Sequence, residues 1–460
     1  MPFDRTLTAV QAHQVPAWFH EAKLGIFIHW GLYSVPGWAP TTGALHDVIA
    51  SEGWPAWFAR NPYAEWYMNS MRVPNGATAA YHAEQYGDQP YAGFATDFNA
   101  GAAQWDPSAW AELFANAGAK YVVLTTKHHD GFLLWPSEQP NPFIPDYQVT
   151  RDLVGELSDA VRAQGLTMGL YYSGGLDWTF NPHVIQDIND LFVAIPQSPE
   201  YVAYADAHWR ELTNRYRPAC MWNDIGYPVG SDVGALFADY YNAVSEGVIN
   251  DRFTQASPDQ VAQISQGISP KPPHADYRTP EYAVFDTIQD DKWESCRGLG
   301  FSFGYNRNES DTEMLSPVAL IHSFVDIVSK NGNLLINVGP QGDGTIPAAQ
   351  AERLLALGSW LAINGEAIYA TTPWTRAEAT TDSGLSVRFT HKDHTLYATM
   401  LGTPTGRIVI PDMPVADQTV VTLLGHQGAL TWQRAGDGIA IDIPADLAPA
   451  AAYTLRLTPQ

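Results

Sequence analysis

Short apolar runs alternate with longer amphipathic segments up to about residue 365. Seven runs have the length and the β-branched or aromatic content of buried strands: LGIFIHW (24–30), YVVLTT (121–126), TMGLYYS (167–173), ACMWND (219–224), GVIND (247–251), FSFGY (301–305) and NLLINVG (333–339). A weaker candidate lies near 283–285. Helical periodicity fills 107–117, 151–164, 199–216, 234–244, 317–329 and 347–364, several opening with Pro in the first turn. Roughly eight strands, most followed by a helix, predict an α/β fold of the (β/α)8-like barrel type. A doubly wound open sheet is the rival, but no Gly-rich phosphate loop follows any strand. The long stretch 31–104 reads as loop and short helix covering one face of the barrel.

Beyond about residue 368 the period changes. LSVRFTHK, TLYATML, RIVIPD, TVVTLLG, GIAIDIP and YTLRLT are short alternating runs separated by turns. They predict a C-terminal antiparallel β-sandwich over 368–460, after a catalytic barrel over 1–367. The Pro- and Gln-containing stretch 136–145 and the segment 254–275 read as surface loops.

Composition narrows the function classes. A formal net charge of −24 disfavours nucleic acid and anionic membranes as partners. The two cysteines, Cys220 and Cys296, sit in apolar contexts and read as buried free thiols, not a disulfide scaffold. The N-terminus shows no basic segment followed by an apolar one, and no run is long enough to span a membrane, so a cytoplasmic protein is the default expectation. The chain is compatible with a homo-oligomer. Sixteen Trp and 22 Tyr raise the prior for sugar-stacking platforms.

The polar clusters fall at strand ends, where parallel α/β folds bind ligands. YVVLTT runs into KHHDGF (127–132), the third strand into Asp177 and Trp178, the fourth into Trp222-Asn223-Asp224, and the fifth into Asn250-Asp251-Arg252. In a barrel these converge on one face. His29, His128, His129, Asp130 and Asp224 could assemble a metal site. Yet the first strand offers only His29, and adjacent strand residues point to opposite faces, so only one of His128 and His129 faces inward unless the chain bends. A satisfied core or loop histidine is the plain alternative for each. Lys127 and Asp130 read as an ion pair holding the strand end. Asp224, a carboxylate closing an apolar run, is the best nucleophile candidate, with a helix cap or loop anchor as its alternative. A glycosidase needs a second carboxyl as acid/base. Glu65, Glu281, Glu294 and Glu309 qualify, and residue types alone do not rank them.

Longer motifs carry a family resemblance: AKLGIFIHWGLYSVPGW (22–38), NPYAEWY (61–67), KYVVLTTKHHDGF (120–132), GLYYSGGLDW (169–178), MWNDIGYP (221–228), VINDRF (248–253), RTPEY (278–282), KWESCRGLGFSFGYNRNE (292–309) and SKNGNLLINVGPQGDGTIP (329–347). Together they resemble the α-L-fucosidases of glycoside hydrolase family 29, across the whole barrel, and the β-rich tail matches that family's C-terminal sandwich. The resemblance implies a retaining exo-α-L-fucosidase acting on a fucosylated oligosaccharide or glycoconjugate, without metal or cofactor. It implies Asp224 as nucleophile and Glu281 as acid/base, with Glu294 as second choice. It implies fucose contacts from His29, Glu65, Trp66, His128, His129, Tyr171, Trp222, Arg252 and Phe303. Rival readings are a metal-dependent hydrolase and a fucose-binding protein without catalysis. Linkage preference would lie in loops such as 39–60, 136–148 and 254–276.

Overall fold

The computed structural model describes residues 2–255 and 271–459. Part of the loop expected over 254–275 therefore lies outside the described residues. Among those described, no helix is long and apolar enough to cross a membrane.

Among the described residues, seven parallel strands form one curled sheet: β1 (Leu24–Ile28), β2 (Tyr121–Lys127), β3 (Thr167–Tyr172), β4 (Cys220–Asn223), β5 (Val248–Ile249), β6 (Trp293–Gly298) and β7 (Gly332–Val338), in the order β5-β4-β3-β2-β1-β7-β6. The two edges, β5 and β6, are joined by segment 277–281. Asn250 bridges to Tyr277, Arg278 to Trp293 and Glu281 to Cys296, all parallel. Seven strands and this segment make eight staves and close the ring. Every residue of β1, β2, β4 and β7 is buried, as expected when a parallel sheet has both faces covered. Helices Pro107–Asn116, Leu153–Ala163, Pro199–Tyr216, Val233–Ala243, Pro317–Ser329 and Ala348–Asn364 match the six periodic stretches to within two residues. Those starting at 107, 199 and 317 are capped by Asp106, Ser198 and Ser316, whose side chains accept early backbone N–H groups, with Pro at the first turn. The stretch 31–104 is loop and short helix, as expected, and supplies one wall of the main cavity.

One of the seven stronger strand assignments fails. FSFGY is not a strand, although its aromatic residues alternate. Its N–H groups go to carboxylates instead of a neighbouring strand: Phe301 and Ser302 each donate to Glu309 Oε1 at 2.7 Å, and Gly304 donates to Glu65 Oε2 at 2.7 Å. The true stave is WESCRG, which carries a buried Glu and Ser and lacks the apolar run that marks the others. The weak candidate at 283–285 is not a strand either.

Eight C-terminal strands form two antiparallel sheets. β8 (Thr372–Thr380), β9 (Ser386–Lys392), β10 (Thr395–Met400), β12 (Val420–Leu423) and β15 (Tyr453–Thr458) make one; β11 (Arg407–Ile410), β13 (Trp432–Ala435) and β14 (Gly438–Asp442) make the other. Phe389, Met400 and Leu455 of the first sheet share a core with Ile408, Ile410 and Ile441 of the second, which is a sandwich. β8 and β13 are rich in polar and small residues and did not stand out as strands. The sandwich is fastened to the barrel where Trp360 Nε1 donates to the Ala452 carbonyl at 3.0 Å and Arg388 pairs with Asp326.

Candidate active site

The eleven residues that the family resemblance implies, two catalytic and nine fucose-contacting, all line a single cavity of about 440 Å³ at the carboxyl ends of the barrel strands. Its centre is Arg252, just after β5. Its Nη1 donates to Asp224 Oδ1 at 2.9 Å and its Nη2 to Glu281 Oε2 at 3.1 Å, so one guanidinium bridges the two carboxylates. The Trp222 ring lies under the guanidinium, 4.6 Å from its centre.

Asp224 directly follows β4. Tyr171, on the adjacent strand, donates its hydroxyl to Oδ2 at 2.9 Å, and His129 Nε2 lies 3.7 Å from the same oxygen. Burial by itself would raise the Asp224 pKa. The neighbouring Arg252 charge and the hydrogen bonds donated by Arg252 and Tyr171 outweigh burial and hold it below the usual range. Asp224 is thus an ionised carboxylate with one oxygen on a cation and the other on a phenol. Glu281, at the end of the closing stave, accepts a 2.8 Å hydrogen bond from the Tyr63 hydroxyl on Oε1. Its backbone carbonyl lies 3.2 Å from His46 Nε2. Glu294, by contrast, is not in the cavity wall. It is fully buried on β6, accepts from Tyr121 and from Trp222 Nε1, and burial pushes its pKa up to about 7.

The three histidines are kept neutral by burial, which lowers His29 to about 4, His129 to about 3 and His128 well below its ordinary value. Their tautomers follow from their partners. Asn337 gives its amide N–H to the Phe303 carbonyl at 2.6 Å, so its oxygen accepts from His29 Nδ1 at 2.7 Å. Ser173 gives its proton to the Leu176 carbonyl, so its oxygen accepts from His129 Nδ1 at 2.6 Å. The Nε2 atoms of His29 and His129 therefore carry lone pairs, and among the described residues His129 Nε2 has no hydrogen-bond partner. Both His128 and His129 reach the cavity because β2 shifts register between Thr125 and Lys127 and the chain turns after Lys127. Strand alternation has ended where they begin.

Glu65 is the other unusual carboxyl. It is buried, accepts the Gly304 N–H at 2.7 Å, and burial pushes its pKa up to about 8, so it is protonated at pH 7. The supposed ion pair of Lys127 with Asp130 does not form as a contact. Lys127 Nζ pairs with Asp177 at 2.8 Å, while Asp130 accepts from the Tyr91 hydroxyl at 2.7 Å and the Phe132 N–H at 3.1 Å. Asp130 is thereby turned away from the cavity, which removes it from the metal set considered above. Among the described residues, the one His and carboxylate group with ligand atoms near enough to share an ion is His13, His274 and Asp276, none of which lines the cavity.

Several site residues escaped the sequence reading. Tyr63 lies inside the NPYAEWY motif, and Asn337 is the one polar side chain within LLINV; both were visible as polar groups in otherwise apolar or aromatic runs.

The barrel, the paired carboxylates and the sugar-sized cavity agree with what comparison with known proteins returns. The α-L-fucosidase family model matches residues 1–366, and the model of the α-L-fucosidase C-terminal domain matches 381–458. The chain belongs to the α-L-fucosidase family. It is a glycoside hydrolase. Tissue α-L-fucosidase of Bos taurus is 35% identical over 98% of this chain and 90% of its own length. Plasma α-L-fucosidase of Homo sapiens is 34% identical, over 96% of this chain and 88% of its own. Among solved structures, Thermotoga maritima α-fucosidase in complex with a mechanism-based inhibitor is 43% identical, covers 99% of this chain and all of its own, and superposes with a TM-score of 0.87. The same relatives overturn the cytoplasmic expectation. They are tissue and plasma fucosidases, and an N-terminus is a poor guide to compartment because leader peptides are cleaved from mature chains.

Proposed function

We propose that this α-L-fucosidase is a retaining exo-enzyme that releases terminal α-L-fucose from fucosylated oligosaccharides or glycoconjugates. The observation that carries the reading is the Arg252 bridge, which gathers Asp224 and Glu281 about one guanidinium at the mouth of one cavity. Retention calls for two carboxyl groups about 5–5.5 Å apart. Asp224, ionised and held by Arg252 and Tyr171, attacks the anomeric carbon. Glu281 delivers a proton to the departing glycosidic oxygen, and a β-configured fucosyl ester forms on Asp224. Glu281 then takes a proton from water, which attacks the ester and restores the α configuration. The bound mechanism-based inhibitor of the Thermotoga maritima relative supports the same chemistry here.

The bare Nε2 atoms of His29 and His129 accept hydroxyl protons of the sugar. His128 and Trp66 complete the polar wall, and Glu65, as a neutral acid, donates. Phe303, packed against His29 and Tyr63, offers the apolar slot that the C6 methyl group needs. A cavity closed around one ring gives the exo mode.

Azide tests the two roles together. Asp224→Gly, supplied with azide and an aryl α-L-fucoside, is expected to yield the inverted β-fucosyl azide. A Glu281 variant is expected to yield the retained α-azide. The opposite pairing refutes both assignments.

A further inference from the structure

The cavity has two parts that differ in exposure and chemistry. Its floor, where His29, Glu65, Trp66, His128, His129 and Trp222 lie, is buried. Its lip is formed by Leu45, His46, Trp54, Leu191, Ile225 and Ala283, all partly or fully exposed. No Lys, Arg, Asp or Glu is among these six. Glu281 sits where the two parts meet, and His46 lies 3.2 Å from its carbonyl. If Glu281 protonates the leaving oxygen, whatever is attached to that oxygen lies against the lip.

Ile225 is the telling residue. It follows Asp224 with φ 54°, in the left-handed region where a β-branched side chain is an outlier and Gly or Asn sits at lower cost. The turn itself demands this conformation. Gly175 donates to the Asp224 carbonyl at 3.1 Å, Gly226 donates to the Arg252 carbonyl at 3.0 Å, and Asn223 Nδ2 binds the Gly226 carbonyl at 2.8 Å. The backbone explains the left-handed turn but not the isoleucine. Ile225 packs only in part against the inner core and leaves the rest of its side chain at the cavity edge, and such strain clusters where function needs the side chain.

We propose that Ile225 and Trp54 determine leaving-group specificity, holding between them the apolar C–H face of an uncharged pyranose. This rests on the assignment of Glu281 as acid/base. Among the described residues, none of these six lip residues is a lysine or arginine, the cavity's Arg252 is already held by Asp224 and Glu281, and a net charge of −24 disfavours an anionic sugar. Trp54, at the start of the short helix Trp54–Ala59 and stacked on Phe58, would supply the flat platform, and Ile225, in the same cavity lining beside Asp224, would supply the second contact.

The test compares two substrates of the full-length enzyme. α-L-Fucosyl fluoride has a leaving group too small to touch the lip; a neutral fucosylated trisaccharide fills it. Trp54→Ala and Ile225→Gly are each expected to lower kcat/KM on the trisaccharide about tenfold more than on the fluoride, the loss that goes with one apolar or ring contact. Ile225→Gly is expected to keep its Tm within a few degrees, because relief of strain offsets the lost packing. Equal losses on both substrates, or none on either, overturn the inference while leaving the roles of Asp224 and Glu281 intact. A wild-type enzyme inert toward the fluoride overturns both readings.

Discussion

Lys127 and Asp177 pair at 2.8 Å with both side chains wholly buried, whereas Arg434 and Asp417, on the C-terminal sandwich, pair at 2.7 Å with side chains 58% and 84% exposed. The distances are alike and the surroundings are opposite. At the barrel mouth charge is buried and each ion has a designated partner. In the sandwich the core shared by the two sheets is apolar, built from residues such as Phe389, Met400 and Ile441, and the Arg434–Asp417 pair lies outside it in solvent. The contrast separates a region organised around chemistry from one organised around packing. Contact distance alone would not have told them apart.

Substitutions should divide along this line. The largest effect is expected at Asp224. Asp224→Gly should lower turnover on an aryl α-L-fucoside on the order of 10⁴-fold or more, as removal of a nucleophile does elsewhere; near wild-type turnover in a steady-state assay would dismiss the assignment. Glu281→Gln should follow, with about 10² to 10⁴-fold loss on a natural oligosaccharide. The loss should be smaller for the first step on an aryl fucoside with a good leaving group, and comparing the two substrates checks this. Lys127→Met leaves the Asp177 carboxylate buried without its cation, which should destabilise the fold by about 3–5 kcal/mol in denaturant titration. Arg434→Ala should change stability by less than about 1 kcal/mol. A large effect there, or a small one at Lys127, would break the comparison.

Buried titratable groups near the cavity also set a pH window. His29 and His129 are pushed down to about 4 and about 3, so below their ordinary values the unfolded chain binds protons that the folded chain does not. From pH 4.5 down to 3 stability should fall. Glu65 and Glu294 are pushed up to about 8 and about 7, so the folded chain holds protons that the unfolded chain has lost. From pH 6.5 up to 8 stability should fall again. Thermal unfolding across pH checks both limbs, and Glu65→Gln should flatten the alkaline one.

Most of the barrel is legible in the sequence because buried parallel strands are continuous apolar runs and surface helices keep their period. β6 is not, since a stave that carries Glu294, Ser295 and Arg297 has the polarity of a loop. FSFGY errs in the other direction: its alternation is that of a strand, but Glu65 and Glu309 take its N–H groups. Both carboxylates were visible in the sequence, while their pairing with a loop some 240 and 8 residues away was not. The strand-end chemistry was legible as residues converging on one face. What could not be read was orientation. The bend that lets His128 and His129 both reach the cavity, and the Asn337 and Ser173 contacts that fix two tautomers, depend on register and on hydrogen-bond direction.

The closing stave has a bearing on how such an enzyme changes over time. Asp224 is attached to β4, laced on both sides by continuous parallel ladders. Glu281 is attached to segment 277–281, held by three single bridges. A lineage could exchange that segment, with the proposed proton donor and the residues beside it, while the ladders that hold the proposed nucleophile stay zipped. The barrel thus keeps its sugar-breaking half as fixed stock and carries its leaving-group half on a detachable slat.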